Sequence, residues 1–174
     1  MSEITIRLIM ETDAAAYNAH RRRISDEPNN NITFSAGEYT RPIEEDRERI
    51  LAIIADPTQQ IFVAAVGEEI VAICACRGAT LSAVRHAVSL GIGIDQPYRG
   101  RGLGNKLMQT MIDWALADPF INRIELDVFT INRPAINLYL KHGFEIEGRK
   151  KHAYFKYGRY VDTYIMGLIL ADKK

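Results

Sequence analysis

The sequence predicts a single mixed α/β domain that spans residues 1–174. The length falls within the roughly 100–200 residues of one domain. Apolar residues make up 47% and charged residues 25% of the chain, which is typical of soluble globular proteins. Segments with the alternation of a strand are also interleaved with segments of helical spacing. This composition excludes a disordered, collagen-like or low-complexity protein.

The charge balance excludes several classes of partner. The chain has 22 Lys and Arg against 22 Asp and Glu, so its formal net charge is zero. A neutral balance gives no general attraction to nucleic acid or to an anionic membrane, and we expect neither as a partner. The longest apolar run, Ile70–Cys76, is far shorter than the roughly 20 residues of a membrane helix. No targeting signal is visible, and we therefore expect a cytoplasmic protein.

The first half of the chain predicts a strand, two helices and a hairpin. A long irregular connection over residues 25–42 separates the helices, and loops of this length are often functional. Cys74 and Cys76 are too few and too close for a disulfide framework, and we expect both to be buried. The basic run at residues 21–23 favours a solvated helix end over a nucleic-acid contact. The predicted elements are a strand at 4–8, helices at 13–23 and 44–55, and strands at 60–66 and 70–77.

The next predicted strand, Ala87–Ile94, has two unlike faces. One face is bulky, with Val88, Leu90, Ile92 and Ile94. The other face is nearly bare, with Ala87, Ser89, Gly91 and Gly93. Glycines weaken a strand, so they mark a bulge or a close approach to the backbone. Either a ligand or a neighbouring helix could occupy the bare face, and the segment alone leaves both open.

A glycine-rich turn follows this strand and leads into a helix. The turn reads Arg99-Gly100-Arg101-Gly102-Leu103-Gly104, and apolar residues then recur at helical spacing from Leu103 to Ala115. Free amide groups at a helix start bind anions, and glycines allow several amides to converge. The arginines add positive charge. Neither the dinucleotide template nor the nucleotide P-loop fits, and a tight turn without a ligand is the alternative.

A second block follows a predicted strand at 124–128. Asn132 is suited to cap a helix, Pro134 to its first turn and Gly143 to its end. Tyr139 lies on the apolar stripe of that helix, so we expect it to face inward or along a cleft. Two further strand-like runs, at 144–151 and 160–170, surround a tyrosine-rich turn.

These two blocks resemble the GCN5-related N-acetyltransferase (GNAT) superfamily. Its acetyl-CoA signature, Arg/Gln-x-x-Gly-x-Gly/Ala, corresponds to the turn at 99–104. Its later signature, Asn-x-x-Ala-x-x-x-Tyr followed by Gly-Phe, corresponds to Asn132, Ala135, Tyr139, Gly143 and Phe144. The two signatures stand in the family's order with a strand between them, and the resemblance covers nearly the whole chain.

The resemblance implies a central, mostly antiparallel sheet that is splayed between strands 4 and 5 and flanked by about four helices. It implies that acetyl-CoA lies at the splay, with the pantetheine arm beside strand 4 and the diphosphate on the glycine-rich turn. No metal is implied. The implied cofactor residues are Ile92, Ile94, Arg99, Gly100, Arg101, Gly102, Leu103, Gly104 and Asn132.

The resemblance further implies acetyl transfer from acetyl-CoA to a primary amine within one ternary complex. The amine would belong to a small molecule, a protein N-terminus or a lysine. Tyr139 matches the family's general acid, although a tyrosine on such a stripe is also a common core residue. Many relatives carry a glutamate where Ser89 stands, so the base stays open among His86, Glu125, Asp127 and water.

Other interpretations of the resemblance also remain. The same fold could hold CoA as a sensor or regulator without turnover, or accept an acyl group other than acetyl. In the family the region that corresponds to residues 25–39 borders the acceptor site, so this loop would select the substrate. The last strands could pair two subunits into a homodimer.

Overall fold

A computed structural model describes residues 3–170 of the chain. Its strands form one seven-stranded sheet in the order β1-β2-β3-β4-β5-β7-β6. Four α-helices flank the sheet in the described part, so the predicted mixed α/β fold is confirmed. The strands are β1 (Thr5–Leu8), β2 (Gln60–Val66), β3 (Glu69–Gly78), β4 (Ala87–Ile94), β5 (Arg123–Phe129), β6 (Glu145–Lys156) and β7 (Arg159–Ile169). The helices are α1 (Ala14–Asp26), α2 (Ile43–Ala55), α3 (Leu103–Ala117) and α4 (Arg133–Lys141).

The sheet is splayed between β4 and β5, as the family resemblance implied. These strands are parallel and pair only from Ala87 opposite Arg123 to Ser89 opposite Glu125. Beyond that point β4 stays paired with β3 up to Ile94, and β5 stays paired with β7 up to its end. The sheet therefore consists of an antiparallel half on each side of a cleft.

The two faces of the sheet have separate hydrophobic cores. α3 and α4 pack on one face, and every residue of the predicted apolar stripe on α3 is buried there. α1 and α2 pack on the other face, around Ile50, Val63 and Ile70. Cys74 and Cys76 are both buried in the first core as predicted, and burial raises the pKa of the Cys74 thiol to about 12. Within residues 3–170 no helix is long and apolar enough to cross a membrane.

Several boundaries differ from the sequence prediction. α1 continues to Asp26, three residues past its predicted end, so the irregular connection covers residues 27–42. β6 continues to Lys156, and a tight turn at Tyr157 and Gly158 leads into β7. Its lysine-rich stretch is a strand because it pairs with β7, with two shifts of register along its length. Cross-strand pairing thus overrides the weak local preference of this segment.

At Gly93 the bare face of β4 packs against helix α1. A Cβ atom at this position would lie 2.9 Å from Cδ1 of Ile24 on α1. At Gly91, in contrast, a Cβ atom would meet nothing within 4 Å. Of the two occupants that the sequence left open, the neighbouring helix is therefore present at Gly93, because α1 packs on that side of the strand.

A substitution at Leu107 on α3 tests the packing of the core beneath this helix. Its side chain is 0% exposed, so Leu107→Ala removes packed methyl groups and leaves a cavity. We expect a loss of about 2–5 kcal/mol in the free energy of unfolding, measured by chemical denaturation. The matched control is Leu116→Ala on the same helix, because Leu116 is 44% exposed. Equal effects of the two changes would contradict the packing described for α3.

Candidate active site

A cavity of about 540 Å³ opens where β4 and β5 separate. Its walls are the end of β4, the glycine-rich turn with the start of α3, the outer side of α4 and the loop that follows α1. Arg101 and Leu103 do not line it, since Arg101 is exposed beside the Tyr98 ring and Leu103 is buried in the core. The cofactor residues expected from the sequence that do line it are Ile92, Ile94, Arg99, Gly100, Gly102, Gly104 and Asn132.

The edge of β4 that faces the cavity presents backbone groups of Ile92 and Ile94. The amide of Asp95 donates to the carbonyl of Val71 on β3 at 2.9 Å. Backbone groups point to opposite sides at successive residues of a strand, so those of Ile92 and Ile94 point away from β3. At the level of Ile92 and Ile94, β5 is no longer paired with β4. The side of β4 along which β5 would continue is therefore open to a ligand, except at the carbonyl of Ile94, which accepts from the side chain of Arg99.

The glycine-rich turn brings free amides to the same cavity. Gly100 and Gly102 have φ angles of 71° and 81°, a left-handed conformation that favours glycine. The first hydrogen bond of α3 runs from the amide of Lys106 to the carbonyl of Gly102 at 3.2 Å. The amides between these two residues consequently lack partners within the helix, which is the arrangement that binds anions.

The side chain of Arg99 is held within the protein. Its Nε donates to the carbonyl of Ile94 at 2.7 Å, and its two terminal nitrogens each lie 2.6 Å from a carboxylate oxygen of Glu27. Glu27 therefore offsets part of the positive charge that the two arginines add to the turn. Sequence reasoning missed Glu27 because it lies 72 residues from Arg99 in the chain.

α4 supplies the opposite wall of the cavity. Asn132 caps this helix, since its Oδ1 accepts from the amide of Ala135 at 3.4 Å. Asn137 and Lys141 also line the cavity and were missed in the sequence. Pro134, Asn137 and Lys141 are separated by three and then four residues, which places them on one side of a helix. This spacing could have identified Asn137 and Lys141 from the sequence.

Tyr139 lies behind the open edge of β4. Its side chain is 6% exposed, does not line the cavity, and packs against Phe144 with 5.7 Å between ring centroids. Burial raises the pKa of the phenol, with a further contribution from Cys74. Cys74 on β3 stands directly opposite Ile92 on β4. Tyr139 and Cys74 belong to one hydrophobic core, so the phenol lies on the side of the sheet that α3 and α4 cover.

The three side chains considered as bases lie outside the cavity walls. His86 is exposed just before β4 begins, at the opposite end of the strand from Ile94. Glu125 pairs with Arg123 and Asp127 pairs with Lys150, each at 3.0 Å. Among residues 3–170 no group of three or more His, Cys, Asp or Glu side chains is arranged to hold a metal ion.

A buried polar network fastens α1 to the end of β4. His20 is fully buried with its Nδ1 3.0 Å from Asp95, and Arg23 contacts Asp95 at 2.7 Å and the carbonyl of Ile70 at 2.6 Å. Burial lowers the pKa of His20. Burial opposes ionisation of Asp95, but the contacts from His20 and Arg23 outweigh it and lower the pKa of that carboxyl. Arg23 is thus a structural anchor, while Arg22 and Arg23 are also exposed, as expected of a solvated helix end.

Known acetyltransferases share the fold of this chain. Residues 25–144 match the Acetyltransferase (GNAT) family, and the chain belongs to this family. A GNAT-family acetyltransferase from Streptococcus pneumoniae is 30% identical, superimposes with a TM-score of 0.92, and the alignment covers 97% of this chain and 100% of that one.

Two other relatives bear on the site. The L-amino acid N-acetyltransferase AaaT of Escherichia coli is 42% identical over 84 residues, which cover 48% of this chain and 52% of that protein. The match therefore spans only about half of that curated relative. The protein yncA from Salmonella typhimurium, solved with its cofactor acetyl-CoA, shares the fold at a TM-score of 0.85 and 19% identity, with 98% of each chain covered.

A substitution at Gly102 tests whether the glycine-rich turn binds the cofactor. Gly102→Glu places a side chain and a negative charge at a left-handed position directly before the free amides of α3. We expect it to abolish acetyl-CoA binding in calorimetric titration. Gly67→Glu is the matched control, because Gly67 also has a positive φ and open space but lies in the turn between β2 and β3. Unchanged affinity in folded Gly102→Glu protein would place the cofactor elsewhere.

Proposed function

We propose that this chain transfers an acetyl group from acetyl-CoA to a primary amine by direct transfer in a ternary complex. One observation carries the proposal: the open edge of β4 and the free amides of α3 face the same cavity. The free amides of α3 would bind a phosphate group and the open edge of β4 would bind an extended polar arm, and these are the two recognisable parts of CoA. Family membership and the acetyl-CoA in the Salmonella structure support the choice of cofactor.

The cofactor would lie along two walls of the cavity. The amides that follow Gly100 and Gly102 would bind the diphosphate, aided by the positive end of the α3 dipole. The pantetheine amides would pair with backbone groups of Ile92 and Ile94, in place of the missing strand. A free amide of β4 would then donate to the acetyl carbonyl and stabilise the negative charge that develops in the transition state.

The reaction needs little covalent participation by the protein. The amine nitrogen attacks the thioester carbonyl carbon, a carbon–nitrogen bond forms, and the carbon–sulfur bond breaks. The amine loses a proton, and the departing CoA thiolate gains one. Holding both reactants in one complex contributes through proximity and orientation. Water is the simplest acceptor of the amine proton, since none of the three candidate side chains lines the cavity.

Tyr139 is the proposed proton donor to the thiolate. The phenol is protonated through the neutral range, and burial raises its pKa further, so the hydroxyl holds its proton more tightly and must be placed close to the departing thiolate to donate it. The hydroxyl would reach the sulfur from behind β4. Proton transfer from a phenol to a thiolate is unfavourable in water, so the donor must be held in position, and the packing against Phe144 does this.

The acceptor is proposed to be a primary amine, with L-amino acids as the first class to test. The support is the name of the Escherichia coli relative, which states that activity for that protein. The loop over residues 27–42 stands beside the cavity and carries no helix or strand, so it is the segment of this chain suited to contact the acceptor.

The first experiment is a calorimetric titration of the purified protein with acetyl-CoA. Saturable binding with a stoichiometry of one supports the proposal. The complex is then incubated with mixed acyl-CoAs and a panel of amino acids, polyamines and peptides, and products are identified by mass. Binding without any acylated product would favour a CoA sensor. No binding by folded protein would overturn the acetyltransferase assignment.

Tyr139→Phe tests the proton donor. Removal of the hydroxyl leaves the packed ring in place, so we expect turnover to fall by about 10²–10⁴-fold while acetyl-CoA affinity stays within about twofold. The measurement is steady-state thiol release together with calorimetry. Tyr17→Phe is the control, because Tyr17 is a buried tyrosine in the core on the other face of the sheet. Wild-type turnover in Tyr139→Phe would remove this residue from the mechanism.

A further inference from the structure

A buried lysine in the β6–β7 hairpin holds the loop that follows α1. Lys156 is the last residue of β6, and its side chain is 5% exposed. Its ammonium group donates to Oδ1 of Asn30 at 2.7 Å, to the carbonyl of Ile32 at 2.6 Å and to the carbonyl of Phe34 at 2.9 Å. All three acceptors belong to one five-residue stretch, so a single side chain organises residues 30–34.

The next residue in the turn strengthens the same contact. The hydroxyl of Tyr157 donates to the backbone carbonyl of Asn30. Tyr157 has a φ angle of 56°, a left-handed conformation that is uncommon for a residue with a side chain. Such a conformation persists where the surrounding contacts hold it, and the bond to Asn30 is one of them. Two consecutive side chains of the hairpin therefore fasten one loop.

The fastened loop is a wall of the proposed cofactor cavity. Residues 29–32 line the cavity, across from the glycine-rich turn. The amide group of Asn30 also donates to the carbonyl of Ser25 at 2.6 Å, which ties the loop to the end of α1. Glu27, at the start of the same loop, forms the bidentate pair with Arg99. A displacement of this loop would thus alter both the wall itself and the support of Arg99.

The surroundings of the Lys156 ammonium group explain why it favours a single position of the loop. The three acceptors of the ammonium group are neutral oxygens, and the Phe129 and Tyr157 rings lie 5.8 and 5.3 Å from Nζ. Burial lowers the pKa of Lys156, and the charge of Glu38 opposes that shift. An ammonium group withdrawn from water requires all its donors to be satisfied, so it favours the one loop position that supplies three oxygens.

We propose that Lys156 is a positioning residue, which holds residues 30–34 in place and thereby sets the affinity of the cavity for acetyl-CoA. The inference rests on the proposed function, because it assumes that the cavity binds this cofactor. It assigns to the β6–β7 hairpin, which does not line the cavity, control over one of the cavity walls.

Lys156→Met tests the proposal by removing the ammonium group and keeping an unbranched stem. We expect the Kd for acetyl-CoA to rise about tenfold in calorimetry, which corresponds to about 1.4 kcal/mol. KM for acetyl-CoA should rise similarly while kcat at saturation changes little. Amide hydrogen exchange should become faster in residues 28–34 and stay unchanged in α3. Lys151→Met is the matched control on the same strand, because Lys151 is exposed, and it should leave all of these values unchanged.

The affinity and the hydrogen exchange of Lys156→Met test two separate parts of the proposal. Wild-type affinity in folded Lys156→Met protein would overturn the coupling to the cavity, and unchanged exchange in residues 28–34 would overturn the fastening of the loop. If Lys156→Met does not fold, Tyr157→Phe removes only the hydroxyl bond to Asn30. It should raise both the Kd, by about threefold, and the loop exchange, and no change in either would overturn the proposal. Failure of the wild-type protein to bind acetyl-CoA would instead refute the proposed function.

Discussion

The separation of β4 from β5 after three residue pairs is the constraint on which the rest of the structure depends. Each strand is fully paired on its other side, so neither needs the other for stability beyond Ser89. The backbone groups of Ile92 and Ile94 are left facing a cavity. These residues are partly exposed, and the carbonyl of Ile94 accepts from Arg99. The sheet therefore has an open strand edge in its middle, where most sheets are closed.

The supports of this opening come from distant parts of the chain. On one side, His20 and Arg23 fasten α1 to Asp95, directly before the glycine-rich turn. Arg99 then links that turn to Glu27, and Lys156 fixes the loop beyond it. On the other side, α4 packs closely on α3, where a Cβ atom at Gly104 would lie 3.2 Å from Leu138. The cavity is thus bounded by parts whose positions are set by specific polar contacts and by close packing.

The buried phenol and the missing acid on β4 suggest how the chemistry would be divided. Tyr139 is shielded from solvent, which keeps its hydroxyl neutral and raises its pKa, so the proposed proton transfer depends on holding the hydroxyl close to the thiolate. Ser89 is exposed at the last β4–β5 pair, near the place where the family resemblance implies a glutamate in many relatives. The acidic side chains nearby are already paired, Glu125 with Arg123 and Asp127 with Lys150. Deprotonation of the amine would therefore depend on solvent more than on a dedicated side chain.

The sequence by itself determined the order of the elements, the buried stripe of α3, the burial of both cysteines and the glycine-rich helix start. These are local features, because periodicity, capping residues and glycine conformation depend on near neighbours in the chain. Only the tertiary structure decided that α1 packs against Gly93, that Arg99 is paired with Glu27, and that Lys156 is buried against residues 30–34. Those contacts join residues 69 to 126 positions apart. Their partners are chosen by how helices and strands pack in space, which no local pattern records.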